Sequence, residues 1–317
     1  MRRTDFRRGW RQRIERNAKF CAMIGERSQV SGVGVTGYIR LFPSAWHPKK
    51  RERGMRERRP RIGITMRIEL ETDRFYLSRH YSEAVEAAGA SPLHISLIPD
   101  EDYIRSVMEE VEGVLLPGSD SDVDPLRYGE EPHTRLGSVH PLKDETDALV
   151  LREVERRATP LLAICFGMQI LNVSRGGKLI QDIGSALPEA IKHQQGAPRD
   201  RLSHRVRLLE GSLMNELAGG DTALVNSHHH QAISEVGRDL VATAWSADGL
   251  VEALEDPRGD RFALAVQWHP EIAWARDDLS RAIFARFVEA AYEYAGRRRL
   301  SERGLEGEAS PRPITSG

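Results

Sequence analysis

The chain has 317 residues, of which 40% are hydrophobic and 29% charged, with a formal net charge of −1. That composition belongs to a globular chain long enough for one large domain or two small ones, and it excludes a fibre, a coiled coil and a wholly disordered protein. No run of about 18 apolar residues is present to span a membrane. The two cysteines, Cys21 and Cys165, are too far apart in sequence to make a CxxC pair and too few for a disulfide framework, so a reducing, cytoplasmic setting is expected.

The near-neutral total hides an asymmetry. Residues 1–60 carry 17 Arg and Lys against 5 acids, and the remainder carries 29 against 42, so +12 is followed by −13. Arginine clusters (Arg2, Arg3, Arg7, Arg8; Arg51, Arg53, Arg56, Arg58, Arg59) without hydrophobic periodicity read as a basic, disordered extension over residues 1–59. The apolar run Phe20 to Ile24 is too short for a secretory signal. Phe6, Trp10, Tyr38 and Trp46 are too scattered to form a stacking surface, so nucleic acid is not the expected partner. Gly32, Gly34 and Gly37 fit a GxGxxG string, but Pro43 and Pro48 interrupt any following helix and no strand precedes it. Met55, just before the first strand-like segment, could itself serve as a start.

From Arg61 the pattern changes to apolar strands alternating with helical stretches. Strands are expected over 62–66, 92–95, 113–116 and 161–164, and helices over 78–88, 101–110, 145–157 and 167–175. This βαβα series implies an α/β fold with a mostly parallel sheet and helices on both faces. The second half turns strand-rich, with candidates at 206–209, 223–226, 241–245, 251–255 and 262–267, before an amphipathic helix over 279–295. The domain is taken to run over 60–296, and residues 297–317 are expected to form a mobile tail.

The chemistry gathers where strands end. Leu161 to Ile164 runs straight into Cys165-Phe166-Gly167 at the start of a helix, which puts a thiol at the carboxyl edge of the sheet. Helix N-terminal amides and their partial positive charge favour thiolate there, and Gly167 permits the tight turn. The Phe166 amide then points toward an oxyanion formed by attack of the sulfur. A thiol nucleophile needs a base and the base an orienting group. The strand 262–268 delivers His269-Pro270-Glu271, where alternation along an extended segment would turn Glu271 to the same side as the His269 ring. A third strand, 114–116, ends in Pro117-Gly118-Ser119, able to supply a second oxyanion amide from Gly118 or Ser119.

Taken together, Pro117-Gly-Ser119 with Asp122-Val-Asp124-Pro125, Cys165-Phe-Gly-Met-Gln169, Val225-Asn-Ser227-His-His-His-Gln231 and Trp268-His-Pro-Glu271 resemble the class I glutamine amidotransferase-like superfamily. Within it the chain is similar to the γ-glutamyl-γ-aminobutyrate hydrolase branch, peptidase family C26. The resemblance implies a flavodoxin-like sheet and a Cys165, His269, Glu271 triad that cleaves a small γ-glutamyl amide through a thioester, with neither metal nor organic cofactor. It further implies that Gln169, Asn226, Ser227, His229 and His230 bind the substrate or support its pocket, and it is compatible with a homodimer. A glutaminase subunit that feeds ammonia to a partner synthetase, and a non-catalytic binding protein of the same fold, are the alternatives. The chain departs from the family in having Ser119 where a second glycine is usual and Ala163-Ile164 where Gly-Ile is usual before the cysteine.

Two further features read plainly. His228-His229-His230 looks like a metal run, but neighbours on an extended chain face opposite ways and no nearby Cys or acid cluster completes a shell. Asp120 to Glu131 approaches a calcium loop, yet Pro125 takes the place of the required glycine and a strand precedes it.

Overall fold

The computed structural model describes residues 58–69, 71–259 and 261–308. The basic extension, apart from residues 58 and 59, the glycine string and Met55 all lie outside the described residues. Among those described, no helix is long and apolar enough to cross a membrane.

In chain order the first half comprises β1 (Arg61–Thr65), β2 (Arg67–Glu69), β3 (Arg74–Tyr76), α1 (Arg79–Ala87), β4 (Ser91–Ile95), α2 (Glu101–Glu110), β5 (Gly113–Leu116), α3 (Pro141–Arg157), β6 (Leu161–Ile164) and α4 (Phe166–Ser174). The second comprises β7 (Lys178–Ile180), α5 (Ile183–Ala186), β8 (His204–Leu208), α6 (Leu213–Ala218), β9 (Thr222–Val225), β10 (Ala232–Glu235), β11 (Val241–Ser246), β12 (Val251–Glu255), β13 (Ala263–Val266), α7 (Pro270–Ala273) and α8 (Asp278–Glu308).

One sheet carries the fold, in the order β4-β1-β5-β6-β13-β12-β11-β8-β9. The first five strands are mutually parallel, and counted in chain order they run 2-1-3-4-5, the flavodoxin-like arrangement. From β13 onward every neighbour is antiparallel. The change of rule is legible in burial: β5, β6 and β13 are buried at every position, as parallel strands covered on both faces must be, whereas His204-Arg-Val-Arg-Leu208 alternates buried and exposed. Two apolar layers flank the parallel part. Tyr81, Ala84 and Val85 of α1 pack with Ile283, Phe284 and Phe287 of α8 on one face. Ile104 and Met108 of α2, Val150 and Val154 of α3 and Ile170 of α4 fill the other.

Several expected boundaries move for identifiable reasons. Helix α3 begins at Pro141, four residues before the expected start, because a proline at the first helical position loses no hydrogen bond there. Helix α8 continues to Glu308 and takes in residues 297–308, which were expected to belong to a tail. The hairpin β2–β3 and the short strands β7 and β10 were absent from the expected elements; three or four residues are too few to show a period.

Candidate active site

Three neighbouring parallel strands, β5, β6 and β13, end at the same edge, and the residues that follow them form the site. Cys165 is the turn between β6 and α4, with φ 54° and ψ −106°, a left-handed conformation that side chains rarely adopt. Its N–H donates to the Val266 carbonyl at 2.8 Å, which ties the elbow to β13. Gly167 is required one residue into the helix: a Cβ there would lie 2.3 Å from the Leu116 carbonyl oxygen, so only glycine lets α4 pack this close to β5. As the first residue of α4, Phe166 has no intrahelical acceptor for its N–H.

His269 follows β13 and caps α7, with Pro270 in the first helical position. Its Nδ1 donates to Glu271 Oε1 at 2.7 Å, and both side chains are buried. The contact was expected along an extended strand; the structure makes it around a helical turn, because Pro270 starts a helix instead of continuing the strand. Burial alone would lower the pKa of His269, but the negative charges of Glu271 and Cys165 outweigh it and raise the imidazole to about 10. Burial likewise works to raise Glu271, and the facing His269 reverses this, holding the carboxyl below its ordinary value. With Nδ1 committed to Glu271, Nε2 is the nitrogen left to the thiol.

The Pro117-Gly118-Ser119 turn closes over this pair. A Cβ on Gly118 would come within 2.7 Å of His269 Cε1, so glycine is the residue that fits against the ring. The Gly118 N–H donates to the Tyr81 hydroxyl at 3.0 Å, so the expectation of an oxyanion amide at Gly118 is corrected: that donor is already engaged. The Ser119 N–H makes no hydrogen bond to another described residue, and its side chain turns aside to Ser121 Oγ at 2.8 Å.

The remaining expected residues occupy distinct places. Asn226 does not offer its amide to a ligand: Nδ2 donates to the His269 carbonyl and Oδ1 accepts from the His269 N–H, both at 2.8 Å. Both ends of the side chain hold the histidine main chain. Ser227 is fully buried and donates to the His193 carbonyl at 2.6 Å. Gln169 is buried in α4 with Nε2 3.2 Å from Gln267 Oε1 and 3.4 Å from the Gln231 carbonyl. The alternation expected of the His triplet is present: the His228 ring lies 5.8 Å from that of His269, His230 Nε2 reaches Asp122 Oδ1 at 2.8 Å, and His229 turns inward toward His193 and Glu252. Burial of His229 favours support of the pocket over contact with a ligand.

Two neighbours escaped the sequence reading. Tyr81 is fully buried in α1, and its hydroxyl accepts from both Gly118 and Arg67 Nη2, the latter at 3.1 Å. Arg67 of β2 is itself buried, with Nη1 3.5 Å from Asp120 Oδ1. An aromatic on an amphipathic helix reads as core, and only the need of its hydroxyl for a partner sets it apart.

The open five-strand parallel core, with Cys165 in the turn at its carboxyl edge, is a flavodoxin-like α/β fold. A crystal structure described as that of a GMP synthase subunit from Thermoplasma acidophilum shares this fold, with a TM-score of 0.56 over 77% of this chain and 99% of its own at 15% identity. The peptidase C26 family model matches residues 60–271, and the chain belongs to that family, within the class I glutamine amidotransferase-like superfamily. Among its relatives is a Mycobacterium tuberculosis protein provisionally named a glutamine amidotransferase, 36% identical over 77% of this chain and 79% of the relative. The gamma-glutamyl-gamma-aminobutyrate hydrolase of Escherichia coli K12 is 33% identical over 69% of this chain and 87% of its own length. The chain is accordingly an amidotransferase-like hydrolase.

Proposed function

We propose that the protein hydrolyses a γ-glutamyl amide of a small amine, of the kind exemplified by γ-glutamyl-γ-aminobutyrate in putrescine breakdown, with Cys165 as nucleophile. The observation that carries the reading is the buried His269–Glu271 pair, 2.7 Å apart, set beside a thiol held at positive φ on the adjacent strand end. A histidine whose pKa is about 10 is an imidazolium at neutral pH, the form that stabilises a thiolate and holds a proton ready for the leaving group.

In this mechanism the Cys165 thiolate attacks the γ-carbonyl carbon and the carbonyl π pair moves onto oxygen. The amides of Phe166 and Ser119 hold that oxyanion. As the tetrahedral intermediate collapses, the C–N bond breaks and His269 gives its Nε2 proton to the departing amine. The neutral imidazole then takes a proton from water, which attacks the thioester and expels the Cys165 thiolate, releasing glutamate. Asn226 and Glu271 position His269 through its main chain and its Nδ1 respectively.

The test is steady-state glutamate release from γ-glutamyl-γ-aminobutyrate and from glutamine by the full chain, with the Cys165→Ala protein as blank. Turnover of the first substrate with little glutaminase activity is the expected result. Preference for glutamine, or silence until a synthetase is added, would replace this reading with that of an ammonia-supplying partner of a synthetase, the reading favoured by the name of the Mycobacterium relative.

A further inference from the structure

A second convergence of titratable side chains lies in the antiparallel half, and the proposed chemistry does not use it. His193 precedes β8 in a long loop, His204 opens β8, His229 follows β9 and Glu252 lies in β12. All four are buried, and Glu252 is fully so. Glu252 Oε1 is the hub: it lies 3.4 Å from His193 Nδ1, 3.3 Å from His204 Nε2 and 3.6 Å from His229 Nε2. His193 Nδ1 and His229 Nε2 are 3.2 Å apart, and one ligand atom each from His193, His204 and Glu252 fall within 4.8 Å of one another.

The tautomers can be read from the outer partners. His193 Nε2 faces the Asp248 carboxylate at 3.0 Å and His229 Nδ1 faces the Gln231 carbonyl at 2.8 Å. Both partners only accept, so each of these nitrogens carries the hydrogen, and in the neutral rings the inward nitrogens, His193 Nδ1 and His229 Nε2, present lone pairs. Two imidazole lone pairs and a carboxylate oxygen thus point at one another in a buried space. Neither ring nitrogen of His204 and neither oxygen of Glu252 has a hydrogen-bond partner among the described residues. Such an arrangement favours a cation at its centre.

We propose that His193, His204 and Glu252, with His229 beside them, form a zinc-class metal site. A tetrahedral ion with bonds of about 2.0–2.1 Å has ligand–ligand edges of about 3.3–3.4 Å; His193 Nδ1 and His204 Nε2 lie 3.4 and 3.3 Å from Glu252 Oε1, and one ligand atom from each of these three residues falls within 4.8 Å of the others. Imidazole and carboxylate donors together suit a divalent first-row metal of borderline softness. The carboxylate behind His193 and the carbonyl behind His229 are the partners that orient ligating histidines. His229 Nε2, 3.2 Å from His193 Nδ1 and 3.6 Å from Glu252 Oε1, is placed to supply a fourth ligand, which would close the shell and make the site structural. Its ligands come from two loops and two strands, so the ion would fasten the 193 loop and the 226–231 segment to the sheet. Ser227, bonded to the His193 carbonyl, and Asn226, bonded to His269, lie in that segment.

Along the sequence, no nearby acid or cysteine completes a shell for the His triplet. The structure supplies the missing ligands from positions 25 or more residues before its middle member and 23 after it. Only one member of the triplet contributes.

Metal content of the full chain, purified without chelator or affinity nickel, tests the proposal, followed by chelator stripping and titration with zinc and with cobalt(II). About one zinc per chain, and on cobalt loading the intense visible bands of a tetrahedral ion, are expected. Asp248→Asn should weaken zinc about 10–100-fold through loss of the partner behind His193. His204→Gln and Glu252→Gln should weaken it further, while His230→Asn keeps full uptake. Stripped wild-type chain that binds neither metal, an octahedral cobalt spectrum, or uptake unchanged in both ligand variants would overturn the site. In the first of those outcomes a shared proton, not a metal, occupies the centre. Because the wild-type spectrum and the Asp248→Asn affinity are independent readouts, a ligand variant that fails to fold does not rescue the proposal.

Discussion

Two of the buried histidine–carboxylate groupings among the described residues differ in what they leave open. In the parallel half, His269 gives one nitrogen to Glu271 and keeps the other for a thiol at the sheet edge. In the antiparallel half, three histidines surround Glu252 with their free nitrogens turned inward. The same two residue types yield a reactive pair where the strands end together at an edge, and a closed knot where they cross a sheet interior. Availability of the second ring nitrogen, more than pKa or burial, separates the two.

That contrast can be broken most severely at the reactive end. Cys165→Ala is expected to reduce turnover by at least about 10⁴-fold, with an unchanged far-ultraviolet circular dichroism spectrum; a smaller loss would remove the thiol from the chemistry. Glu271→Gln keeps the shape but frees the tautomer, and a fall in kcat of about 10³–10⁴ is expected. Asn226→Ala should act more mildly, lowering kcat about 10–100-fold with KM nearly constant, since the amide touches only the His269 main chain. A change confined to KM would show instead that Asn226 meets the substrate.

The smallest effect concerns pH. His269 is raised from 6.5 to about 10 in the folded chain. Its contribution to stability is therefore complete below about 6.5 and disappears as pH rises through about 10. Melting temperature should decline across that window. In Cys165→Ala, one of the two charges raising His269 is gone, and the decline should end at lower pH; identical profiles for the two proteins would separate the thiol from the histidine.

How far the sequence reveals each grouping follows from the same geometry. His269 and Glu271 are two residues apart, and Cys165 borders its own strand and helix, so each half of the reactive pair is written in a short stretch. That the sheet is mostly parallel is equally accessible, because β5 and β6 are uninterrupted apolar runs alternating with helices; the order of the strands, with β13 beside β6, is not. The His193, His204, His229 and Glu252 grouping is assembled only by the pairing of β8, β9, β11 and β12, which no local pattern specifies. Tyr81 and Arg67 were hidden for a related reason: each looks like an ordinary helix or hairpin residue until the Gly118 turn is placed above it. Asn226 was legible as a motif, yet its partner, a main chain 43 positions away, was not.

The fourth and fifth parallel strands, β6 and β13, are neighbours in space, but the whole antiparallel half lies between them in sequence. Cys165, the proposed nucleophile, leaves the ribosome about a hundred residues ahead of His269, its proposed base. A nascent chain that has emerged only as far as β12 holds a cysteine elbow with no imidazole beside it and no Val266 carbonyl to receive the Cys165 amide. On the proposed mechanism the chain is inert until this point of its synthesis, and the docking of the four-residue strand β13 is what completes the site.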